Sequence, residues 1–259
     1  MKKDFTRQVA VIVAVLATIV VNILANALPL NGLNTGEISD RFKVYFVPAG
    51  YVFSIWGLIY LGLVAYAIYQ ALPAQKENPR LRKIGGWFVI GSLANMAWIF
   101  LWHSEVFTVT IFAMLVLLIC LILTYLGLEI GRSAVSSSEK WFVRAPFSIY
   151  LGWITVATIA NVTSLLDHLN WGGWGISDQV WAVIMILVGA GVATAVYATR
   201  KDFAYMLVII WAFTGIAAKH KDTALVANAA WIGTGIVAGV LLVGSIFYYT
   251  LKKPKLTGK

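Results

Sequence analysis

Pro48-Ala49-Gly50-Tyr51-Val52-Phe53-Ser54-Ile55-Trp56-Gly57-Leu58-Ile59-Tyr60 is an apolar stretch without a charged side chain, and apolar sequence continues from it to Leu72. A run of this length predicts a helix that crosses a lipid bilayer. The whole chain has the same character, because 60% of its 259 residues are hydrophobic and only 12% are charged. Soluble domains are nearer half apolar and a quarter charged. The sequence therefore predicts a protein whose solvent is lipid.

Hydrophobic segments comparable to this one recur along the chain. Crossing about 30 Å of hydrocarbon takes about 20 residues of α-helix, and most of the segments reach that length. Their runs are too long for strands and lack a period of two. The sequence predicts an all-α, multi-pass integral membrane protein with eight transmembrane helices, in the inner or plasma membrane if the source is bacterial. The segments are Val9–Leu28, Phe46–Leu72, Gly85–Trp102, Val106–Leu128, Ala145–Leu166, Val180–Ala198, Phe203–Ala218 and Thr223–Thr250.

The first segment is preceded by basic residues and ends in Ala25-Asn26-Ala27, which is similar to a signal peptide with its cleavage site. Its apolar run of about 20 residues exceeds the 7 to 15 residues of an ordinary signal core. We therefore expect this segment to stay in the protein as a transmembrane helix.

The basic residues predict how the helices are oriented. If both termini are cytoplasmic, 16 of the 20 Lys and Arg side chains fall on the cytoplasmic side. An excess of Lys and Arg in short loops is typical of that side. Eight spans keep this alternation up to the C-terminus. The 16 residues are Lys2, Lys3, Arg7, Lys76, Arg80, Arg82, Lys83, Arg132, Lys140, Arg144, Arg200, Lys201, Lys252, Lys253, Lys255 and Lys259.

The same loop distribution accounts for the net charge of +9, so we expect the bilayer as a partner and no nucleic acid.

No predicted segment carries a charged residue near its middle, which argues against proton-coupled transport. The three histidines fall in loops or at helix ends without partners at metal-ligand spacing, and we expect His103 in a solvated turn. No phosphate-binding loop or nucleophile elbow is present. We predict no catalytic residues and no metal, and an enzyme is the less favoured class.

Uncharged polar residues do occur inside the segments. Asn95 and Trp98 lie three residues apart on one helix face, and Trp153 and Asn161 are separated by about two turns. Because an amide in lipid needs a partner, these side chains should face the bundle interior. Two interpretations stay open at this point: bonds that only hold helices together, or a cavity lined by indoles and amides for a large flat apolar ligand.

Three of these stretches resemble the TspO/MBR family, the tryptophan-rich sensory or translocator proteins. The resemblance is carried by Pro48, Val52, Trp56, Gly57 and Tyr60 in the second segment. The third segment contributes Asn95 and Trp98, and the fifth contributes Tyr150-Leu151-Gly152-Trp153 and Asn161. Their order and approximate spacing also fit the family, over about Val9–Asp167.

The resemblance implies a five-helix bundle over residues 1–170, with residues 171–259 adding three further helices. It also implies an interhelical pocket that binds porphyrins, sterols or synthetic aromatic compounds, with the 29–45 loop as its lid. A porphyrin or haem-type ligand is the cofactor class compatible with such a pocket. Separately, Gly235 and Gly239 give the last segment a close-packing face, either within the chain or in a homodimer. The ligand-binding residues carried over are Trp56, Tyr60, Asn95, Trp98, Tyr150, Trp153 and Asn161.

The sequence also departs from that family. The single Pro48 stands in place of a double proline, and Ile99-Phe100 replace the proline pair after Trp98. Phe107 and Ile111 occupy the places of a Trp and an Asp in the fourth segment. These departures, together with the extra helices, leave the identity of the ligand open.

The last segment contains Val226-Ala227-Asn228-Ala229-Ala230-Trp231, which is similar to Leu93-Ala94-Asn95-Met96-Ala97-Trp98. An inverted repeat would indicate a transporter, although six apolar residues match easily by coincidence.

The functions considered are therefore a sensory or regulatory binding protein, a transporter of a hydrophobic metabolite, and an enzyme acting on tetrapyrroles or isoprenoids. The 170–175 turn, with two indoles, is interpreted as an interfacial anchor, with a ligand lid as the alternative.

Overall fold

The computed structural model describes residues 2–28 and 30–252, and in those ranges the chain is helical with no strand. Short helical turns connect eight long helices. The most important connection is a six-residue lid helix, Thr35–Asp40. The long helices are α1 Lys2–Ala27, α2 Ile55–Ala71, α3 Pro79–His103, α4 Phe107–Gly127, α5 Ala145–His168, α6 Asp178–Arg200, α7 Phe203–Lys219 and α8 Ala224–Lys252.

Each of the eight predicted segments overlaps one of these helices, so the prediction of an all-α chain is confirmed. Within the described ranges, seven helices are long and apolar enough to cross a membrane. The other apolar helix, α7, has 17 residues and is shorter than the rest.

The second predicted segment begins later as a helix than the sequence indicated. Residues 46–49 form a loop, Gly50–Ser54 is a 3-10 turn, and α2 starts only at Ile55. Pro48 accounts for this, because proline disfavours helical backbone in the residue before it and has no N–H to donate. Phe46, Val47 and Val52 are nevertheless buried. Residues 46–54 therefore pack into the bundle as an irregular strap.

Polar contacts join the loops in two groups, one at each end of the bundle. At the basic end, Arg82 binds Asp4 at 2.6 Å and the Tyr125 hydroxyl donates to Asp202 at 2.9 Å. At the lid end, loops at 30–54, 104–106, 169–177 and 220–223 come together. The contacts there include Arg41 with Glu105 and Lys219 with Asp40, each at 2.5 Å.

Local side chains fix where several helices start. Asn78 accepts hydrogen bonds from the backbone of Arg80 and Leu81 ahead of α3, where Pro79 occupies the first turn. Ser177 and Asp202 cap α6 and α7 in the same way. The lid helix has a full capping box between Asn34 and Glu37. Such caps satisfy backbone N–H groups that a helix end leaves free.

The first five helices pack around an aromatic core. Helix α3 lies between α1 and α4, and α5 packs against α2 and α4. The rings of Tyr66, Phe88 and Phe147 contact one another edge to face, with centroids 4.9 to 5.7 Å apart. Edge-to-face contact is the favourable geometry for such rings. This core lies towards the basic end and leaves the lid end less completely filled.

Helices α6, α7 and α8 pack against one another, and α7 also lies along α5. A Cβ added to Gly215 of α7 would lie 2.2 Å from Val52 Cγ2 in the 3-10 turn. The Gly215 carbonyl accepts a hydrogen bond from Ala49 at 3.1 Å, and the Trp211 indole donates to the Val52 carbonyl at 3.1 Å. The C-terminal helices therefore hold the strap in place.

The two similar six-residue stretches occupy different environments. Asn95 is buried, whereas Asn228 is exposed on α8, and Trp231 is 55% exposed. The similarity is therefore not accompanied by an equivalent role in packing.

We predict that Gly215→Ala destabilises the fold, because its methyl group would overlap Val52 and overpacking of this kind costs about 1 to 3 kcal/mol. Thermal unfolding of the detergent-solubilised protein measures the effect as a lower melting temperature. Gly191→Ala is the control, since nothing lies within 4 Å of its added Cβ. Equal melting temperatures for the two variants would contradict the close approach of α7 to the strap.

Candidate functional site

A cavity with about 470 Å³ of space between its atoms, part of it open to solvent, lies at the lid end. Its walls come from the lid helix, the strap, the last turns of α3 and one face of α5. The lining is almost entirely apolar and aromatic, which is the usual character of a small-molecule site. The lining residues are Thr35, Ser39, Val47, Pro48, Phe53, Trp98, Trp102, Trp153, Val156, Ala157, Ala160, Asn161 and Ser164.

Three tryptophans form the aromatic walls. Trp98 and Trp102, four residues apart on α3, stack with ring centroids 5.2 Å apart and planes 19° apart. Trp153 comes from α5 and meets Phe53 edge to face at 5.6 Å. Large rigid rings on two different helices give a flat ligand extensive contact at a small cost in side-chain entropy.

The indole N–H of Trp153 is a polar group without a protein partner. Trp153 is only 3% exposed, and its Nε1 has no hydrogen-bond partner among the described residues. A buried N–H left in this state costs about 1 to 3 kcal/mol. Trp153 can therefore donate a hydrogen bond to an acceptor on a bound molecule.

Asn161 is held by two neighbouring helices. Its Oδ1 accepts from Trp98 Nε1 at 3.3 Å, and its Nδ2 donates to Thr110 Oγ1 at 3.0 Å. The Thr110 hydroxyl in turn donates to the Phe107 carbonyl. The amide thus fixes the orientation of the Trp98 ring at the edge of the cavity.

A second polar chain lies deeper in the bundle. Asn22 of α1 donates to Asn95 Oδ1 at 2.7 Å, and Asn95 Nδ2 donates to the Tyr150 hydroxyl at 3.1 Å. All three side chains are buried. This chain ties α1, α3 and α5 together without contributing to the cavity lining.

Trp56 and Tyr60 lie behind the cavity. The two rings stack at 5.6 Å, and Trp56 contacts Tyr150 and Trp153 edge to face at 5.9 and 6.3 Å. Trp56 therefore supports Trp153 from the side of α2.

Of the seven predicted ligand-binding residues, the structure brings Trp98, Trp153 and Asn161 to the cavity lining. The other four, Trp56, Tyr60, Asn95 and Tyr150, form the layer beneath it. Ligand binding by any of the seven stays a prediction.

The predicted lid loop does lie over the cavity. Thr35 and Ser39 of the lid helix line it, and Trp102 Nε1 donates to the Thr35 carbonyl at 3.3 Å. Thr35 Oγ1 is also 3.1 Å from His103 Nε2. The expectation of a solvated His103 is wrong, because the lid helix covers this side chain and leaves it 2% exposed.

Sequence reasoning did not include Trp102 or Phe53 among the site residues, nor the small side chains of α5. The signal was present in α5, where positions 153, 156, 157, 160, 161 and 164 follow the period of one helix face. The strap residues had no such signal, because their position depends on the contact with Gly215.

The cavity lining offers few polar groups. Its described lining contains hydroxyls, one amide and one free indole N–H, without a carboxylate, imidazole or amine. Among the described residues there is also no group of three or more His, Cys, Asp or Glu side chains placed to hold a metal ion. The arrangement suits a planar apolar molecule that carries at least one hydrogen-bond acceptor.

Comparison with protein families finds a match to the family described as TSPO-like protein, over residues 8–243. No curated protein and no solved structure matches the chain. The match covers most of the chain and, together with the apolar helices, identifies an integral multi-pass membrane protein. It continues well past the predicted limit at Asp167, so α6, α7 and most of α8 fall within the matched region.

We predict that Asn95→Leu lowers stability, because the buried Tyr150 hydroxyl then loses its donor and Asn22 loses its acceptor across the helices. The expected loss is about 1 to 3 kcal/mol, seen as a lower melting temperature in detergent. The control is Asn26→Leu on the exposed part of α1, where the side chain donates only to the Asn22 carbonyl of its own helix.

If the chain from Asn22 to Tyr150 acts as one unit, Tyr150→Phe will cost less in the Asn95→Leu background than alone. Additive effects of the two changes would contradict the network.

Proposed function

The chain belongs to the TSPO-like protein family, and from that premise we propose that it binds a large planar hydrophobic ligand in the cavity at the lid end. The proposed ligand class is tetrapyrrole, including porphyrin, or sterol-like, and the proposed role is sensory or regulatory. The observation that carries the proposal is the buried Trp153 N–H without a partner, in an aromatic cavity that offers little other polarity.

Each part of the cavity has a role in this proposal. Trp98 and Trp102 supply the stacking surface, held by Asn161 and by the Thr35 carbonyl. Trp153 donates to an acceptor on the ligand. Apolar α5 residues such as Val156 and Ala160 complete the walls. Binding then gains from apolar burial and from a hydrogen bond to the Trp153 N–H.

The ligand would be admitted by movement of the lid helix. Arg41–Glu105 and Lys219–Asp40 join the lid loop to the rest of the bundle, and both pairs are at least partly exposed. Exposed ion pairs contribute at most about 1 kcal/mol each. Opening the lid would also separate Ile38 from Trp102 and Phe107, but these residues form a small cluster apart from the main core, which stays packed.

We favour binding over transport because polar contacts close the basic end, whereas two of the cavities lie at the lid end. A transporter needs access to its site from each side of the membrane. At the basic end, the Asp4–Arg82 contact and the buried Glu139 and Arg144 occupy the space between helices.

We also propose that α7 is the eighth transmembrane span and that both termini are cytoplasmic. Asp202 before α7 contacts Tyr125 at the basic end, and Lys219 at its other end contacts Asp40 at the lid end. Seventeen residues of helix reach about 25 Å, and a bilayer adapts to such a short span by local thinning. The positive-inside rule then places the basic end in the cytoplasm.

The binding proposal is tested by titrating the purified, detergent-solubilised protein with protoporphyrin IX and following the quenching of tryptophan fluorescence. We expect saturable binding, weakened about threefold to tenfold by Trp153→Phe, which keeps the ring but removes the N–H. Asn161→Ala should also weaken binding, because it frees the Trp98 ring.

Trp231→Phe is the matched control for that titration. Trp231 is 55% exposed on α8 and lies outside the cavity lining, so its loss should leave the affinity unchanged. Binding that does not saturate, or that ignores Trp153 and Asn161, would limit these residues to helix packing.

The topology is tested in intact cells that express single-cysteine variants of the chain in a Cys120→Ala background. A membrane-impermeant maleimide should label Lys221→Cys from outside, but reach Lys201→Cys and Ser138→Cys only after permeabilisation. Equal labelling of positions 201 and 221 would show that α7 does not cross the membrane.

A further inference from the structure

A second and larger cavity lies at the lid end, with about 820 Å³ of space including its open mouth. It is formed where the lid loop meets the end of α5 and the start of α6. Its lining is mixed, with aromatic rings, carboxylates and amides. The lining residues are Lys43, Val44, Tyr45, Phe46, Thr163, Leu166, Asp167, Asn170, Trp171, Asp178, Trp181 and Ala182.

The second cavity is separated from the first by the strap. Residues up to Phe46 line the second cavity, whereas Val47 and Pro48 line the first. Helix α5 contributes a different set of side chains to each one. A molecule in the second cavity would therefore contact almost none of the groups assigned to the planar ligand.

Aromatic rings form one side of the second cavity. Trp171 and Trp181 have centroids 5.3 Å apart, and Trp174 contacts both rings from outside the lining, at 5.3 and 5.9 Å. The Trp181 N–H already donates to the Gly173 carbonyl at 2.9 Å, so this side chain has only its ring surface left to offer. Tyr45 supplies a third lining ring.

The charged groups in the lining favour a cation. Asp167 and Asp178 provide two carboxylates, and neither has an ion pair among the described residues. Asp167 accepts only a backbone hydrogen bond, from Lys43 N at 3.3 Å. The Lys43 side chain is the one ammonium group in the lining and is exposed.

The His220 ring contacts Tyr45 at a tilt of 57°, with ring centroids 5.3 Å apart. Burial and the neighbouring Lys219 lower the pKa of His220 below its usual value. The imidazole is therefore neutral at pH 7 and adds no positive charge near the cavity. The two carboxylates outnumber the single ammonium group.

We propose that this second cavity binds a quaternary ammonium group, carried either by a small soluble molecule or by the headgroup of a lipid. Such a cation is attracted to the faces of tryptophan and tyrosine rings, and Asp167 and Asp178 supply the opposite charge. Because its methyl groups have no N–H to donate, it suits a site whose aromatic side offers ring surface. The 170–175 turn, interpreted from sequence as an interfacial anchor, then contributes a wall of a binding site.

The test is calorimetric titration of the whole protein with choline, in nanodiscs made of phosphatidylglycerol and thus free of choline lipids. The uncharged isostere 3,3-dimethyl-1-butanol is titrated in parallel. We expect saturable choline binding at least about tenfold tighter than binding of the isostere, the difference that a desolvated cation–π contact supplies.

Variants assign the contact to individual residues. Asp178→Asn and Trp171→Leu should each weaken choline binding about tenfold, whereas Lys43→Gln should tighten it by removing a like charge. Trp174→Leu is the matched control, because this indole belongs to the same cluster but not to the lining. Melting temperatures show whether each variant is folded. If Trp171→Leu is unstable, the Asp178→Asn and Lys43→Gln variants, both at exposed positions, still show whether the cavity prefers a cation or an anion.

Equal affinity for choline and its isostere, or no saturable choline binding, would overturn the proposal. So would binding of inorganic phosphate that Lys43→Gln abolishes, since the cavity would then be an anion site. A further arm adds phosphatidylcholine to the nanodiscs. Competition with choline would identify the lipid headgroup as the source, and lack of competition would identify a free molecule.

Discussion

A polar group inside a bilayer has to find its partner within the protein, and the rest of this structure depends on that constraint. Asn22, Asn95 and Tyr150 satisfy one another across three helices. Their contacts fix the depth and rotation of α1, α3 and α5 in the bundle. The rotation that buries Asn95 also turns Trp98, one turn further along α3, towards Asn161. A buried amide thus determines which tryptophans can form an aromatic cavity.

The lid end is built differently from the rest of the bundle. The core near the basic end is closed by interlocking rings such as Tyr66 and Phe147, whereas the lid end is closed by a loop, a six-residue helix and exposed ion pairs. Contacts of this second kind contribute little energy each. Apart from the small buried cluster of Ile38, Trp102 and Phe107, the lid end therefore depends on weaker contacts than the core near the basic end.

The C-terminal helices are part of this arrangement. Helix α7 approaches the strap so closely that only glycine fits at position 215. The Trp211 indole also donates a hydrogen bond to the Val52 carbonyl. Since the strap separates the two cavities, α7 shapes both of them from outside. The family match likewise extends beyond the first five helices, to residue 243 in α8.

The sequence by itself determined the class of protein, the approximate positions of the apolar helices and the TspO-like family. These follow from composition, from the length of apolar runs and from the order of a few motifs, all of which are local properties of the chain. It also indicated Asn161, because an amide in lipid needs a partner on another helix, and it indicated Trp98 and Trp153 through the resemblance to the family.

Only the tertiary structure decided which of the seven predicted residues reach the cavity, that Trp102 and Phe53 join them, and that a second cavity exists. These features depend on contacts between residues far apart in the chain, such as Ala49 with Gly215 and Lys43 with Asp167. Helix periodicity carries no information about such contacts, because it describes which face of a helix is apolar but not which loop packs over its end.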